Sequence, residues 1–164
     1  MWADTTISGL DGSLQVITTV GTGGYVDLYP DSGGTVNVVV GEVGVAQPGA
    51  SLTGLSPTRM IDSRPGGVAA GGTTTFTAAP FAAIPSDALA VVGDLADIQP
   101  TSPGYLVAYP GGTTMPGTAN IANYPGQTRS TSVLAAVNPA NGMVSVSSVG
   151  ASTTFTFDAT AYIS

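Results

Sequence analysis

Gly24-Tyr25-Val26-Asp27-Leu28-Tyr29-Pro30 returns as Gly104-Tyr105-Leu106-Val107-Ala108-Tyr109-Pro110, and a looser third copy runs from Gly142 to Ser147. Each copy opens on glycine and continues with a short hydrophobic run, and the first two close on proline, which is the punctuation of a β-strand between turns. Recurrence of such a unit within one chain indicates assembly from related β segments.

The same grammar extends outward in both directions. Apolar stretches of four to eight residues, rich in Val, Thr, Ile, Tyr and Phe, sit between Gly, Pro, Asp and Asn. They predict strands near 13–20, 25–29, 35–43, 58–62, 73–77, 88–95, 105–109, 119–124, 131–137, 144–147 and 153–161. Period-two patterning supports this: Val36, Val38 and Val40 share one face, and Phe155 and Phe157 share another. Eleven strands in 164 residues imply an all-β protein with short connections. The default architecture is an antiparallel β-sandwich of jelly-roll or immunoglobulin-like type; three related units also allow a pseudo-threefold β-prism.

An offset of 118 residues lays Gly24-Tyr25-Val26 on Gly142-Met143-Val144 and Thr35 on Thr153. Residues 13–44 therefore read as a second copy of the end of the chain, about 130–162. The organisation that follows is an N-terminal arm and half-repeat over 1–50, then a complete β module over 51–164. Residues 46–51, Ala-Gln-Pro-Gly-Ala-Ser, have the composition of a linker. A half unit cannot bury its apolar face alone, so it packs within the chain or on a neighbouring copy.

Composition closes several functional classes. The chain has no Lys, three Arg against ten acidic residues, and a formal charge of −7. Three arginines cannot line a phosphate-binding groove, so no nucleic-acid partner is expected. The absence of His and Cys removes His- or Cys-based triads, thiolate chemistry, disulfides and the usual zinc sites. No apolar run approaches the roughly 20 residues of a spanning helix, and no membrane insertion is expected. The first residues, Met1-Trp2-Ala3-Asp4, have neither the basic start nor the apolar run of a secretory signal.

Paired carboxylates and oxygen-ligated calcium remain as chemistry. Asp94 and Asp97 form the best acidic pair, but their spacing on a strand sends them to opposite faces, against a shared catalytic centre. Asp27 and Asp31 read as turn carboxylates, and Glu42 stands alone near the end of a valine-rich strand. The expectation is therefore no catalytic residue, no metal and no cofactor. The conspicuous polar cluster is Arg59, Asp62 and Arg64, expected to form a structural network with Asp62 accepting from an arginine fork. Arg129 does similar work at the edge of its strand. Trp2, Tyr105, Tyr109 and Tyr124 are the candidate contacts to a partner or a glycan, with core packing as the competing role for the tyrosines.

Several of these stretches, in order, resemble a β-rich repeat module of actinobacterial secreted and surface proteins and of proteins of their phages. The match begins at Ser56-Pro57-Thr58-Arg59-Met60-Ile61-Asp62-Ser63-Arg64, with Ser63 where the family pattern has threonine. It continues through Gly71-Gly72-Thr73-Thr74-Thr75-Phe76, the stretch 84–92, the stretches 99–110 and 120–128, and closes at Gly142-Met143-Val144-Ser145-Val146 and Asp158-Ala159-Thr160-Ala161-Tyr162. The resemblance covers about residues 55–162. It implies a non-catalytic β module and carries over no catalytic residue.

With no signal segment at Met1, the context that fits such a module is a bacteriophage virion protein, assembled in the host cytoplasm. The expected role is head decoration or cement, through contacts with the major capsid protein or another virion protein. A homo-oligomer is expected, with a trimer at a local threefold as one form. The alternative is a module of a fibre or host-surface protein, extracellular or at the cell surface, that binds cell-wall glycan through many weak sites.

Overall fold

The computed structural model describes residues 22–25 and 49–164. Eight strands follow one another there: β1 (Leu52–Asp62), β2 (Thr73–Thr77), β3 (Ala90–Ile98), β4 (Gly104–Pro110), β5 (Ile121–Asn123), β6 (Thr128–Ala136), β7 (Met143–Val149) and β8 (Thr154–Ile163). They correspond in order to the eight strands expected from residue 58 onward. The strands expected at 13–20 and 35–43 fall outside the described residues, as does that at 25–29 apart from Tyr25, which is exposed.

The strands form two four-stranded sheets. Sheet 1 has the order β1-β8-β3-β6 and sheet 2 the order β2-β7-β4-β5. Every pairing is antiparallel. The protein is an antiparallel β-sandwich. The pairs are nested: β4 with β5, β3 with β6, β2 with β7 and β1 with β8. Successive pairs alternate between the sheets, so each connection from β1 to β4 crosses the sandwich and each from β5 to β8 crosses back.

The core fills the space between the sheets, as alternation on half-buried strands requires. Val91 and Leu95 on β3, Val133 and Ala135 on β6, and Phe155, Phe157 and Ala159 on β8 face inward from sheet 1. Phe76, Leu106, Ile121, Val144 and Val146 answer from sheet 2. The Phe76 and Phe157 rings meet across the layers, with centroids 5.8 Å apart and planes tilted by 42°. The inward-facing pair Phe155 and Phe157 is what the sequence pattern required.

The other face of sheet 2 is covered in its middle, where Val107, Tyr109, Ser145 and Ser147 are buried, and exposed along β2. Thr73 and Thr75 hydrogen-bond Ser147 and Ser145 across β2 and β7 at 2.6 and 2.7 Å. The Tyr109 hydroxyl lies 2.9 Å from Ser147 Oγ, and Val107 beside it is fully buried. A ladder of small hydroxyls satisfies its own polar atoms, so it can be buried without leaving donors orphaned.

Two irregularities escaped the sequence reading. Gly54 and Pro57 resemble turn residues, yet β1 runs through both: 52–54 pair with 163–161, and the register then shifts before Thr58 meets Ala159. At the edge of the described sheet this is tolerated, because no described strand calls on Pro57 for a ladder hydrogen bond on the side away from β8. On β8, Thr160 is an extra residue, since Gly93 pairs with Ala159 and the adjacent Val92 with Ala161. This bulge reverses the alternation. Phe155, Phe157 and Ala159 point inward before it, and Tyr162 packs against the core after it.

Candidate functional site

The polar cluster expected around Asp62 forms, with a fourth member. At the end of β1, Asp62 accepts from Arg64 Nε at 2.8 Å, Arg64 Nη2 at 2.5 Å and the Arg64 backbone N–H at 3.0 Å. Arg59 Nη1 donates to Asp62 Oδ2 at 3.3 Å. The second carboxylate is Asp158 on β8, opposite Arg59 in the β1–β8 register, and it takes the Arg59 guanidinium on both oxygens, Nε to Oδ1 and Nη2 to Oδ2. Two cations and two anions thus neutralise one another. The Arg64 hydrogen bonds hold the Asp62 carboxyl well below the usual carboxylate range.

This network joins β1 to the central strand β8 and offers no spare charge to a ligand carboxylate. Its arginine side chains remain about half exposed, at 47% and 52%. Solvent screening therefore keeps its contribution to stability small. Next to the network Ser63 stitches the same junction, its N–H donating to Phe155 O at 2.9 Å and its Oγ accepting from Phe155 N–H at 2.7 Å.

The three tyrosines have different surroundings, and burial removes Tyr109 from any exposed platform. Tyr105 and Tyr109 share a face of β4, as their parity required, but Tyr109 is buried and its hydroxyl is engaged with Ser147. Tyr124 lies in the connection from β5 to β6, with the Arg129 guanidinium 4.6 Å above its ring centroid. That stacking is a cation–π contact, so Arg129 secures the β6 edge through an aromatic ring. Trp2, Asp27, Asp31 and Glu42 lie outside the described residues.

The acidic pair on β3 divides between the two faces as expected. Asp94 points outward beside Asp158, and its carboxyl is pushed up by partial burial and by that neighbouring charge, against a hydrogen bond from Ser130. Asp97 points inward and is 1% exposed. Thr153 Oγ1 donates to its Oδ1 at 2.6 Å, while Oδ2 is buried without a partner. Burial pushes this carboxyl up, opposed by the Thr153 hydrogen bond and by the positive field of Arg129, which faces Asp97 across the β3–β6 ladder. Among the described residues, no three acidic groups cluster to hold a metal ion.

Asp97 has a definite consequence for pH dependence. A carboxyl with a raised folded-state pKa binds its proton more tightly when folded, so its contribution favours the fold at low pH and is lost as pH rises through that value. Asp97→Asn is therefore expected to gain stability relative to the natural chain between pH 4 and pH 8. Urea midpoints at the two pH values, read as the difference between variant and parent, check this. A difference that shrinks or stays flat as pH rises would remove Asp97 as the source.

A cleft of about 410 Å³ opens near Asp97, between the 66–69 loop, the end of β3 and residues 152–154. Thr153 lines it and also holds Asp97. Its other walls are glycine backbone, small apolar groups and the hydroxyls and amide of Thr101, Ser152, Thr154 and Gln99. Among the described residues no aromatic or charged side chain lines it, so they provide neither a stacking surface for a sugar ring nor an acid–base pair.

Sequence reasoning missed Asp158, Thr153 and Asn123. Asn123 sits on β5, 3% exposed, with neither amide atom hydrogen-bonded. The available signal was parity: Asp97 falls in phase with Val91 and Leu95, and Asn123 with Ile121. A polar residue in an inward phase is a buried one. A scan against protein-family models finds no match to this chain, and a search of curated proteins finds none either.

Proposed function

We propose that this protein is a structural component of a bacteriophage particle, a non-enzymatic head decoration or cement protein that acts through surface contacts. The observation that carries the proposal is the division of the outer face of sheet 1. Toward one end that face is polar, with Arg59, Asp158, Asp94 and Ser132 in one cross-strand row. Toward the other, the described residues carry no charge: Leu52, Ile163, Ala90 and Ala136 form one row, and Gly54, Ala161, Val92 and Leu134 the next, with Ala90 and Ala161 buried. Leu52 is 60% exposed, and Leu89, whose N–H donates to Ile163 O, is 57% exposed.

An apolar strip, bordered by a polar half whose arginines are already paired with Asp62 and Asp158, is suited to burial against another protein. The nested strand order supports the same reading. Orders 1-8-3-6 and 2-7-4-5 are those obtained by rolling one long hairpin into two sheets, and we take the sandwich as a jelly roll, an architecture used by capsid proteins among others. Fold alone does not assign function, so the strip is the stronger support. The partner is the major capsid protein or another virion protein, and the assembled form is a homo-oligomer.

Mixing the purified protein with particles that lack it, and separately with host cell envelopes, tests the proposal. Stoichiometric uptake by particles, abolished by Leu52→Asp together with Leu89→Asp, is the expected result. Uptake by envelopes and none by particles overturns it in favour of the glycan-binding module.

A further inference from the structure

The inward faces of the two sheets carry an unresolved polar account at one end of the sandwich. Asp97 leaves Oδ2 without a partner, and Asn123 leaves both Oδ1 and Nδ2 without one, although both residues are at least 97% buried. Buried polar atoms in native proteins are almost always hydrogen-bonded to protein or to an internal water, and an orphan costs about 1–3 kcal/mol. Three such atoms at the same end of the sandwich call for a common explanation.

Topology brings them to the same end. Asn123 closes β5 opposite Gly104, the first residue of β4. From there the chain turns tightly into β6, with Gln127 N–H donating to Tyr124 O, and that turn is tied to the end of β3 by Gln99 N–H to Gln127 O and Gly126 N–H to Pro100 O. On β6, Arg129 then lies opposite Asp97. β3 and β5 belong to different sheets and approach each other across the interior. Both side chains have inward phase, so both project into the space between the sheets at this end.

The charge of the surroundings selects the occupant. A metal cation would sit in the field of Arg129, and the region has one acidic oxygen free to hold it. An anion would face the Asp97 carboxyl. A neutral molecule that both donates and accepts satisfies every orphan: it donates to Asp97 Oδ2 and Asn123 Oδ1 and accepts from Asn123 Nδ2. We propose that the structure holds an internal water site here, bridging Asp97 on sheet 1 to Asn123 on sheet 2. Buried waters with about three hydrogen bonds to otherwise unsatisfied groups are ordinary parts of protein interiors. The bridge joins the two sheets at the end where the β3–β4 and β5–β6 connections leave them, beneath the cleft that Thr153 lines.

Two measurements test the site on the full chain. A crystal structure at a resolution that defines ordered solvent is expected to show one density peak within hydrogen-bond distance of Asp97 Oδ2 and of the Asn123 amide. A dry interior, a direct Asp97–Asn123 hydrogen bond, or a peak with metal-like oxygen distances overturns the proposal. In solution, NMR titration of the Asp97 carboxyl in Asn123→Leu is expected to show its midpoint moved upward, because the water loses its second anchor. Asn123→Asp, which keeps an acceptor there, guards against a leucine variant that fails to fold: retention of the peak is expected in its crystal structure, and loss of the peak overturns the bridge.

Discussion

Phe157→Ala is expected to destabilise the protein by about 3–5 kcal/mol, the range for removing a fully buried aromatic side chain. Phe157 is 0% exposed, sits on the central strand β8 between Ile61 on β1 and Leu95 on β3, and carries the ring contact to Phe76 across the sandwich. Truncation removes the burial of the ring and leaves a void bounded by two sheets whose ladders resist collapse. Urea unfolding reads this as a lower midpoint at unchanged slope. Thr160→Ala, at the exposed bulge residue of the same strand, is the control and should lie within about 0.5 kcal/mol of the parent. A loss of about 1 kcal/mol or less for Phe157→Ala would mean that the sheets close over the space, contrary to a core locked by its strand pairing.

Gly142→Ala should be comparably severe for a different reason. Gly142 adopts φ +70° at the turn into β7, and its carbonyl accepts the N–H groups of Ala78 and Ala79 at 2.8 and 2.9 Å. A Cβ there would stand 1.8 Å from the carbonyl oxygen of Ala79. Left-handed backbone costs a non-glycine residue roughly 1–2 kcal/mol, and forced overpacking typically adds about 1–3 kcal/mol. The expected loss is about 3 kcal/mol, together with displacement of the 78–80 segment. Gly126 separates the two contributions, since it has φ +71° and open space around its Cα. Gly126→Ala should show the conformational cost alone. Equal losses at the two glycines would contradict the steric account.

Period-two reading recovered the positions of the described strands along the chain, though not their order in the sheets, because most of them are half-buried, and a half-buried strand writes its inward face into every second residue. Val91 and Leu95, Phe155 and Phe157, and Val144 and Val146 are cases in which parity alone identifies core residues. Reading stopped where geometry departs from that period. The start of β1 was hidden by Gly54 and Pro57, residues an edge strand accommodates and a central one rejects. The inward Tyr162 was hidden by the bulge at Thr160, after which the phase inverts.

The candidate site was legible to the same extent. Asp62 and Arg64 are two residues apart, so their ion pair could be read from local sequence. The Arg59–Asp158 pair depends on β1 lying beside β8, a pairing between opposite ends of the described module that no local pattern encodes. Tyr109 shows a further limit. Parity placed it with Tyr105, but parity does not say whether a face away from the core is wet, and that face of sheet 2 is covered around Tyr109, Val107 and Ser147.

The position of β8 bears on how the polypeptide matures during translation. A ribosome that has emitted β1 through β7 has produced every strand of sheet 2, yet sheet 1 still lacks the member that separates β1 from β3. Until Ile163 clears the exit tunnel, β1 has no ladder partner among the described strands, and the inward faces of β3 and β6 lack the phenylalanines that fill the space beside them. Nascent chains cut short anywhere before β8 would thus expose unpaired strand edges and apolar surface to proteases. Only copies that include β8 would persist, so the last strand acts as a check on the completeness of the sandwich.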